Sequence, residues 1–454
     1  MALVRLYEET GNEDYLKLSR YFIDERGQQP LYFLQEGHPA PSFEKPAEPF
    51  SYYQAHKPVR EQDEAMGHAV RAMYLYSGMA DIARLAGDES LKEACRRLFR
   101  SVTREKMYIT GGVGSTNIGE SFTFPFDLPN DMAYTESCAA VGLCFFARRM
   151  LRLEPKSEYA DALERALYNN VLSGMALDGK SFFYVNPLEV WPEAVHRDAR
   201  KTHVKPVRQK WFGCACCPPN IARLLGSLGD YIYSEEGNTL FVHLYMSSEV
   251  IKTTEAGNVR VQAFANREDP SAWRIRFRVS GADSRFTLAL RIPGWSKGWR
   301  LHGAELSETV EKDGYLYLRK GWQEGEEVTL ELSCPVRFLQ ADSRVRENTG
   351  KIAVMHGPFV YCLEEADNGK NLHLCTVSRG ITPADVSFEK TEIAGRETVA
   401  LRIPGLREAE ATGHGLYFDA DAETPVSPVS LRLIPYFMWA NRGENEMQVW
   451  IRQR

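Results

Sequence analysis

Three stretches in the first half of the chain share one pattern of hydrophobic and polar positions. In residues 6–23, 84–99 and 152–167, apolar residues recur every three or four positions on both sides of a short polar turn. This spacing is typical of two amphipathic helices that pack as an αα-hairpin. About 70 residues separate successive hairpins, which leaves room for inserted loops. We therefore predict a helical toroid over residues 1–234, with a cleft at one mouth.

After Tyr233 the pattern changes from helical periodicity to alternation of apolar and polar residues. Segments such as TLFVHLYM, WRIRFRVS and FTLALRIPGW alternate apolar and polar residues between Gly, Asp and Asn turns. A second set, which includes IAVMHGPFVYCLE, VSLRLIPYFMWAN and MQVWIR, closes the chain. Short alternating strands between turn residues are typical of β-sandwiches. The sequence predicts two antiparallel β-sandwich domains, at residues 235–340 and 341–454.

Charge and composition narrow the classes of partner. The 454 residues carry a net charge of -6 without any block of Lys or Arg, which argues against a nucleic-acid or anionic-membrane surface. No apolar run approaches the roughly 20 residues that span a bilayer. The opening MALVRLYEETGNEDY is an amphipathic helix rather than a signal peptide, so a cytoplasmic location is expected. A small neutral ligand such as an oligosaccharide fits this composition best.

Nine cysteines make a disulfide framework improbable and a metal site or a reactive thiol more attractive. Cys214, Cys216 and Cys217 lie within four positions, in WFGCACCPPN. The two prolines that follow suit the first turn of a helix, which places Cys216 and Cys217 just ahead of a helix N-terminus, where thiolates are favoured. For Cys214 we predict packing or motif geometry rather than ligation. Core packing is predicted for the others, Cys95, Cys144, Cys334, Cys362 and Cys375.

A second cluster, YTESC at residues 134–138, also stands where a helical pattern begins. Thr135 is the predicted N-cap, and Glu136 is predicted in the first turn of the helix. If the two helix ends converge, one carboxylate and three thiolates form a tetrahedral set suited to zinc. The predicted ligands are Glu136, Cys138, Cys216 and Cys217.

Polar residues on two loops are further candidates. Glu120 lies on the glycine-rich segment 111–131, whose GGVGS start has no GK[ST] sequence and no βαβ context, so phosphate binding is rejected. Gln54, His56 and His68 lie in a charged stretch that enters a helix. Such side chains are common hydroxyl donors and acceptors in sugar clefts, although a histidine in this setting more often has a structural role. Tyr184, with Asn186 beside it, is a similar candidate.

Five motifs in this order resemble one known family. HKPVREQ, GHAVRA, GGVGSTNIGE, YTESCA and GCACCPPN look like the zinc- and cysteine-dependent β-L-arabinofuranosidases, long described as a domain of unknown function. The later RIPGW, HGPFVYCLE and IPYFMWANRG are similar to the β-sandwich domains that follow this family's (α/α)₆ barrel. The opening MALVRLYEETG resembles a hairpin from the middle of that barrel. The resemblance therefore implies a barrel that lacks several N-terminal helices.

The resemblance also implies roles for individual residues. Cys216 would be the nucleophile and Glu120 the general acid/base, with Zn²⁺ on the four predicted ligands and His68 in contact with the sugar. The implied reaction is retaining hydrolysis of a β-L-arabinofuranoside through a thioglycosyl-enzyme, releasing L-arabinose. A homodimer formed through a β-domain is a further expectation.

Three alternatives remain open at this point. The chain could be a non-catalytic carbohydrate-binding or scaffold protein with a structural zinc site, or a glycosidase of the same barrel class that acts on another sugar. The third alternative, a hydrolase with zinc-bound water, is disfavoured because four protein ligands leave no open position.

Overall fold

The chain divides into two compact units in a computed structural model. The model describes residues 1–44, 48–255, 257–281, 284–303, 309–410, 415–419 and 424–454. The first unit comprises Met1–Glu105, Cys138–Leu167 and Pro219–Pro335. The second comprises Lys106–Ser137, Tyr168–Pro218 and Val336–Arg454. Two long segments from the first half of the chain therefore belong to the same unit as its C-terminal part.

The helical hairpins predicted from the sequence are confirmed. They pair Ala2–Thr10 with Glu13–Asp24, Ala69–Ala86 with Glu89–Ser101, and Ser137–Leu153 with Ser157–Arg165. In the first two, a left-handed glycine ends the leading helix, and the side chain of Asn12 or Asp88 caps the next one. The first unit also contains the α-helices Tyr32–Gln35 and Gly229–Ile232 and, from Pro219 onward, helix Cys217–Gly226.

Helix Glu89–Ser101 shows why these segments fold as they do. Its buried residues Leu91, Ala94, Cys95, Leu98 and Phe99 follow the spacing of one helical face. The Phe99 ring lies 5.3 Å from Phe146 and 4.8 Å from Tyr159. One aromatic side chain thus joins the second hairpin to both helices of the third.

In the first unit, the described strands begin where the last of these helices ends. Helix Gly229–Ile232 is followed directly by strand Tyr233–Glu236, close to the predicted change of pattern. Within the described part of the first unit there are two five-stranded sheets. In spatial order, the first sheet contains Tyr233–Glu236, Thr239–Val242, Ser284–Arg291, Tyr315–Trp322 and Thr309–Lys312. The second contains Ser248–Thr254, Gly257–Asn266, Ala272–Gly281, Glu326–Ser333 and Trp299–His302.

A buried ion pair joins the third hairpin to the first of these sheets. Arg291, which is fully buried, bonds to Asp161 at 2.7 Å and to Glu164. The other carboxylate oxygen of Glu164 accepts a 2.7 Å hydrogen bond from the indole of Trp295. An unpaired buried charge is costly, so removal of one charged partner in this network would destabilise the fold by leaving another charge unpaired.

The second unit is built on a larger sheet. Its described strands, in spatial order, are Glu189–Val190, Met447–Gln448, Phe359–Glu364, Val426–Pro435, Arg396–Glu408, Cys375–Val377, Ile451–Gln453, Lys351–His356 and Val336–Leu339. Strand Ser387–Ile393 pairs with Arg396–Glu408 off this path. The unit's described α-helices are Pro192–Arg197 and Glu365–Asn368.

The expectation of purely antiparallel sheets is wrong at two pairings. Thr239–Val242 runs parallel to Ser284–Arg291, and Cys375–Val377 runs parallel to Ile451–Gln453. In both cases a long stretch of chain that contains other strands separates the partners, so the chain can return in the same direction.

The length and composition of the described helices show whether any of them could cross a membrane. Among them, none combines the length with the apolar character that a bilayer crossing requires.

Candidate active site

The segment Tyr134–Cys138 turns sharply before its helix. Thr135 adopts a left-handed conformation with φ 37°, which is strained for a β-branched residue. The helix begins only at Ser137, so Glu136 precedes it instead of lying in its first turn. The Thr135 hydroxyl donates at 2.6 Å to the carbonyl of Asn186, and so the predicted N-cap role of Thr135 is wrong. The left-handed residue delays the start of the helix.

Residues 183–186 hold this turn in place. The Ser137 amide donates to the carbonyl of Tyr184 at 2.9 Å, and the Ser137 hydroxyl donates to that of Phe183 at 2.8 Å. The side-chain amide of the buried Asn186 donates to the Thr135 carbonyl at 3.1 Å and to the Ser137 hydroxyl at 3.0 Å. Asn186, a weaker candidate for sugar binding, is therefore a support for the turn.

The glycine-rich loop packs against the other side of Thr135. The Thr135 amide donates to the carbonyl of Gly114 at 2.7 Å. A Cβ atom on Gly112 would lie 2.8 Å from the Thr135 side chain and 2.5 Å from Oδ1 of Asn170. Close backbone approach, rather than a phosphate, explains a glycine at this position.

The three-cysteine motif leads directly into helix Cys217–Gly226. Cys216 precedes the helix as predicted, whereas Cys217 is its first residue. Upstream, the ring of Phe212 lies 4.9 Å from Phe182 and 5.8 Å from Tyr184, which anchors the motif on the segment that supports Thr135. Cys214 is exposed.

The four predicted metal ligands come together. One ligand atom each from Glu136, Cys138, Cys216 and Cys217 lies within 4.8 Å of all the others. The Cys216 sulfur is 3.5 Å from Oε1 of Glu136 and 3.7 Å from the Cys217 sulfur. Zinc–ligand bond lengths imply edges of about 3.6 Å and about 3.8 Å for a tetrahedron of oxygen and sulfur donors. The donor chemistry and both distances therefore fit zinc.

Access to the four donors differs. Glu136, Cys138 and Cys217 are buried, whereas Cys216 is partly exposed. Cys216 is thus the donor that a substrate can approach.

Glu120 lies beside Tyr134 and Tyr184, two tyrosines next to the four predicted metal ligands. It ends the short 3₁₀ turn Ile118–Glu120, with φ 52°. Its Oε1 atom accepts hydrogen bonds from the Tyr134 hydroxyl at 2.8 Å and from the Tyr184 hydroxyl at 3.5 Å. The Tyr184 hydroxyl also lies close to the Cys216 side chain, so one phenol neighbours both predicted catalytic groups.

Both phenols remain protonated at ordinary pH. Burial, followed by the hydrogen bond to Glu120, raises the pKa of Tyr134 far above its usual value. Burial and then the charge of Glu136 raise the pKa of Tyr184 in the same direction. The two hydroxyls therefore act as hydrogen-bond donors to the groups around them.

The other predicted sugar contacts lie in the first unit. Gln54 is buried, and its side-chain amide donates to the carbonyls of Tyr52, Met66 and His68 at 3.1, 2.9 and 3.3 Å. His68 immediately precedes helix Ala69–Ala86, with its ring edge-on to Tyr52 at 5.8 Å. Burial lowers the pKa of His56, with a further contribution from the charge of Lys57. These bonds give Gln54 a clear structural role, and contact with sugar stays a prediction for all three candidates.

Two residues at the site escaped the sequence analysis. Tyr134 stood inside a recognised motif but had no assigned role. The ring of His203 stacks on Tyr134 at 5.9 Å with an interplanar angle of 30°. No spacing in the sequence relates His203 to the motif, whereas the position of Tyr134 two residues before a predicted metal ligand was an available signal.

Comparisons with known proteins place the chain in a family. Residues 1–230 match the model of the β-L-arabinofuranosidase GH127 catalytic domain, residues 239–334 its middle domain, and residues 336–452 the C-terminal domain of glycoside hydrolase family 127. A non-reducing end β-L-arabinofuranosidase from Bifidobacterium longum subsp. longum is 42% identical over 472 residues. That alignment covers 100% of this chain and 70% of the relative.

Solved structures that resemble this chain belong to the same family. A GH127 β-L-arabinofuranosidase from Geobacillus stearothermophilus T6 is 49% identical with a TM-score of 0.92, covering 100% of this chain and 71% of that one. A second GH127 β-arabinofuranosidase is 33% identical with a TM-score of 0.84, covering 100% and 68%. The chain is a glycosidase with mixed helical and sheet domains, and it belongs to the β-L-arabinofuranosidases of glycoside hydrolase family 127.

Proposed function

We propose that the chain releases L-arabinose from the non-reducing end of β-L-arabinofuranosides with retention of configuration. In this proposal Cys216 is the nucleophile and Glu120 is the general acid/base. The observation that carries it is the position of Tyr184, whose hydroxyl donates to Glu120 at 3.5 Å and lies close to the partly exposed Cys216. Both groups therefore lie near one hydroxyl, which suits a pair that acts on the same glycosidic bond.

Zinc is the proposed resident metal, held by Glu136, Cys138, Cys216 and Cys217. A thiol with the usual pKa of about 8.5 is mostly protonated at neutral pH. When bound, zinc keeps such thiols in the thiolate form. Four protein donors complete a tetrahedron, which argues against hydrolysis by metal-bound water.

The proposed reaction has two steps, formation of a thioglycosyl-enzyme and its hydrolysis. Cys216 attacks the anomeric carbon while Glu120 protonates the departing oxygen, so that a C–S bond forms as the C–O bond breaks. Glu120, now a carboxylate, takes a proton from water, which attacks the same carbon and releases the Cys216 thiolate. Glu120 ends the cycle protonated.

The finer expectations about fold and substrate contacts belong to the same proposal. Gln54, His56, His68 and Tyr184 are the proposed sugar contacts, since each offers a polar side chain suited to hydroxyl groups. The helical hairpins support an (α/α)₆-type barrel, and the alternating burial along strand Ala272–Gly281 supports a β-sandwich. The ranges of the three family models support the predicted domains, 1–234, 235–340 and 341–454.

The first test is zinc content per chain, measured by mass spectrometry on folded protein purified without added metal. About one zinc per chain is expected, with loss of zinc in Cys138→Ser and Cys217→Ser. Cys214→Ser is the matched control, because this exposed cysteine lies outside the donor set. Folded protein that stays free of zinc even when zinc is supplied would reject the metal site.

The nucleophile is tested by trapping. Acid quenching during turnover of an aryl β-L-arabinofuranoside should leave one anhydropentose unit on the peptide that contains Cys216. Cys216→Ser should lose both the adduct and the turnover, whereas Cys214→Ser should keep both. A zinc-loaded protein without turnover on arabinofuranosides would favour a structural zinc site in a carbohydrate-binding protein. Turnover of another glycoside alone would redirect the proposal to that sugar.

A further inference from the structure

We infer that Tyr134 is a positioning residue that orients Glu120 and restricts its proton transfer to one carboxylate oxygen. This inference rests on the proposed role of Glu120 as general acid/base. Tyr134 acts through Glu120 and is assigned no contact with substrate.

The hydrogen bond between the two residues is short and specific. The Tyr134 hydroxyl donates to Oε1 of Glu120 at 2.8 Å, whereas the Tyr184 hydroxyl reaches the same atom at 3.5 Å. Tyr134 is therefore the stronger of the two constraints on the carboxylate.

Glu120 needs such a constraint because its own backbone offers little support. It ends a three-residue 3₁₀ turn in which Gly119 and Glu120 both have positive φ, and Ile118 beside them is exposed. A side chain on a short surface turn samples several rotamers unless a partner fixes it. A bond from a residue in a rigid setting supplies that fixation.

Tyr134 has a rigid setting. Its side chain is buried, with His203 stacked on the ring and Tyr184 edge-on to it at 6.1 Å. Its carbonyl accepts a hydrogen bond from the Asn186 amide at 3.4 Å. The phenol is thus fixed by packing and by main-chain bonding within one compact unit.

The direction of the hydrogen bond selects the oxygen that transfers the proton. Because Tyr134 donates to Oε1, the proton that Glu120 delivers resides on Oε2 in the first step. When Glu120 becomes a carboxylate, the bond to Oε1 stabilises the new negative charge. In the second step the proton from water returns to Oε2.

The test compares Tyr134→Phe with the wild type on two β-L-arabinofuranosides, one with a nitrophenyl leaving group and one with an alkyl or sugar leaving group. Nitrophenolate departs without protonation, whereas an alkoxide requires it. We therefore expect kcat/KM to fall roughly tenfold to hundredfold on the poor leaving group. On the nitrophenyl substrate kcat/KM should change by less than about threefold, with KM and zinc content unchanged.

Tyr108→Phe is the matched control, because its buried hydroxyl bonds to the Pro129 carbonyl at 3.1 Å in the same unit. It removes an equivalent phenol bond without touching Glu120, and so it should leave the ratio of the two kcat/KM values unchanged. An unchanged ratio in Tyr134→Phe, or an equal fall on both substrates, would overturn the inference. Glu120→Gln distinguishes failure of this inference from failure of the proposed function. If the fall in kcat/KM of Glu120→Gln is the same on both substrates, the proposed acid/base role of Glu120 fails instead.

Discussion

Replacing Gly112 with alanine tests whether close packing sets the position of Glu136, a proposed metal ligand. The added Cβ atom would lie 2.5 Å from Oδ1 of Asn170 and 2.8 Å from Cβ and Cγ2 of Thr135. Thr135 cannot yield easily, because its hydroxyl is bonded to the Asn186 carbonyl and its backbone is already left-handed. Asn170 is bonded to the Thr135 carbonyl at 3.3 Å. Relief of the clash must therefore move the turn that carries Glu136.

The expected cost follows from this geometry. Overpacking a tight interior site destabilises a protein by about 1–3 kcal/mol. For a unit of this size, each kcal/mol corresponds to roughly 2–4 °C in melting temperature. A displaced ligand also weakens metal binding, by about tenfold or more when the supporting contacts of a site are lost.

Thermal melting and competition of the zinc-loaded protein against a chromogenic chelator measure the two effects separately. Gly213→Ala is the control, since a Cβ at this exposed position in the cysteine motif meets no heavy atom within 4 Å. It should match the wild type within about 0.5 kcal/mol. If Gly112→Ala melts and holds zinc like Gly213→Ala, the packing of Gly112 on Thr135 does not position Glu136.

Two further predictions concern the stability of the first unit. Glu164→Gln should lower the free energy of unfolding by about 3–5 kcal/mol in urea titrations, because Arg291 loses a buried charged partner. Glu158→Gln on the same helix removes a surface pair and should cost less than about 1 kcal/mol, so equal losses would contradict this view of the network. Burial lowers the pKa of His243 to about 3, so the folded protein keeps it neutral while the unfolded chain takes up a proton below about pH 6.5. Its contribution to stability is therefore lost as pH falls from about 6.5 toward 3, by up to about 1.4 kcal/mol per pH unit. The urea midpoint of His243→Gln should depend less on pH than that of the wild type, and parallel curves would refute the assignment.

The sequence was most informative where structure depends on local pattern. The hairpin of Ala69–Ala86 and Glu89–Ser101 follows from three- and four-residue periodicity with a glycine and a capping residue between the helices. The grouping of Glu136 with Cys217 was predictable because each stands at a helix start and carries metal-binding chemistry. Local signals of this kind do not require knowledge of the fold.

Strand pairings and side-chain contacts between residues far apart in the sequence were not predictable in the same way. Nothing in the alternation of Thr239–Val242 indicates a parallel partner that begins more than 40 residues later. The left-handed Thr135 is stabilised by bonds to distant residues, so its own sequence favoured an N-cap instead. The contact of Tyr134 with Glu120 likewise depends on how a loop folds back over the turn.

The left-handed backbone at Thr135 also constrains the order of events during synthesis. A threonine in this conformation costs on the order of 1–3 kcal/mol, which only the surrounding structure can offset. The compensating bonds come from Gly114 on one side and from Asn186, about fifty residues further along the chain, on the other. A nascent chain that ends before residue 186 has no means of holding Glu136 in its native direction. We therefore expect the proposed metal to enter a turn that is already formed, as a late step of maturation, and not to act as its nucleus.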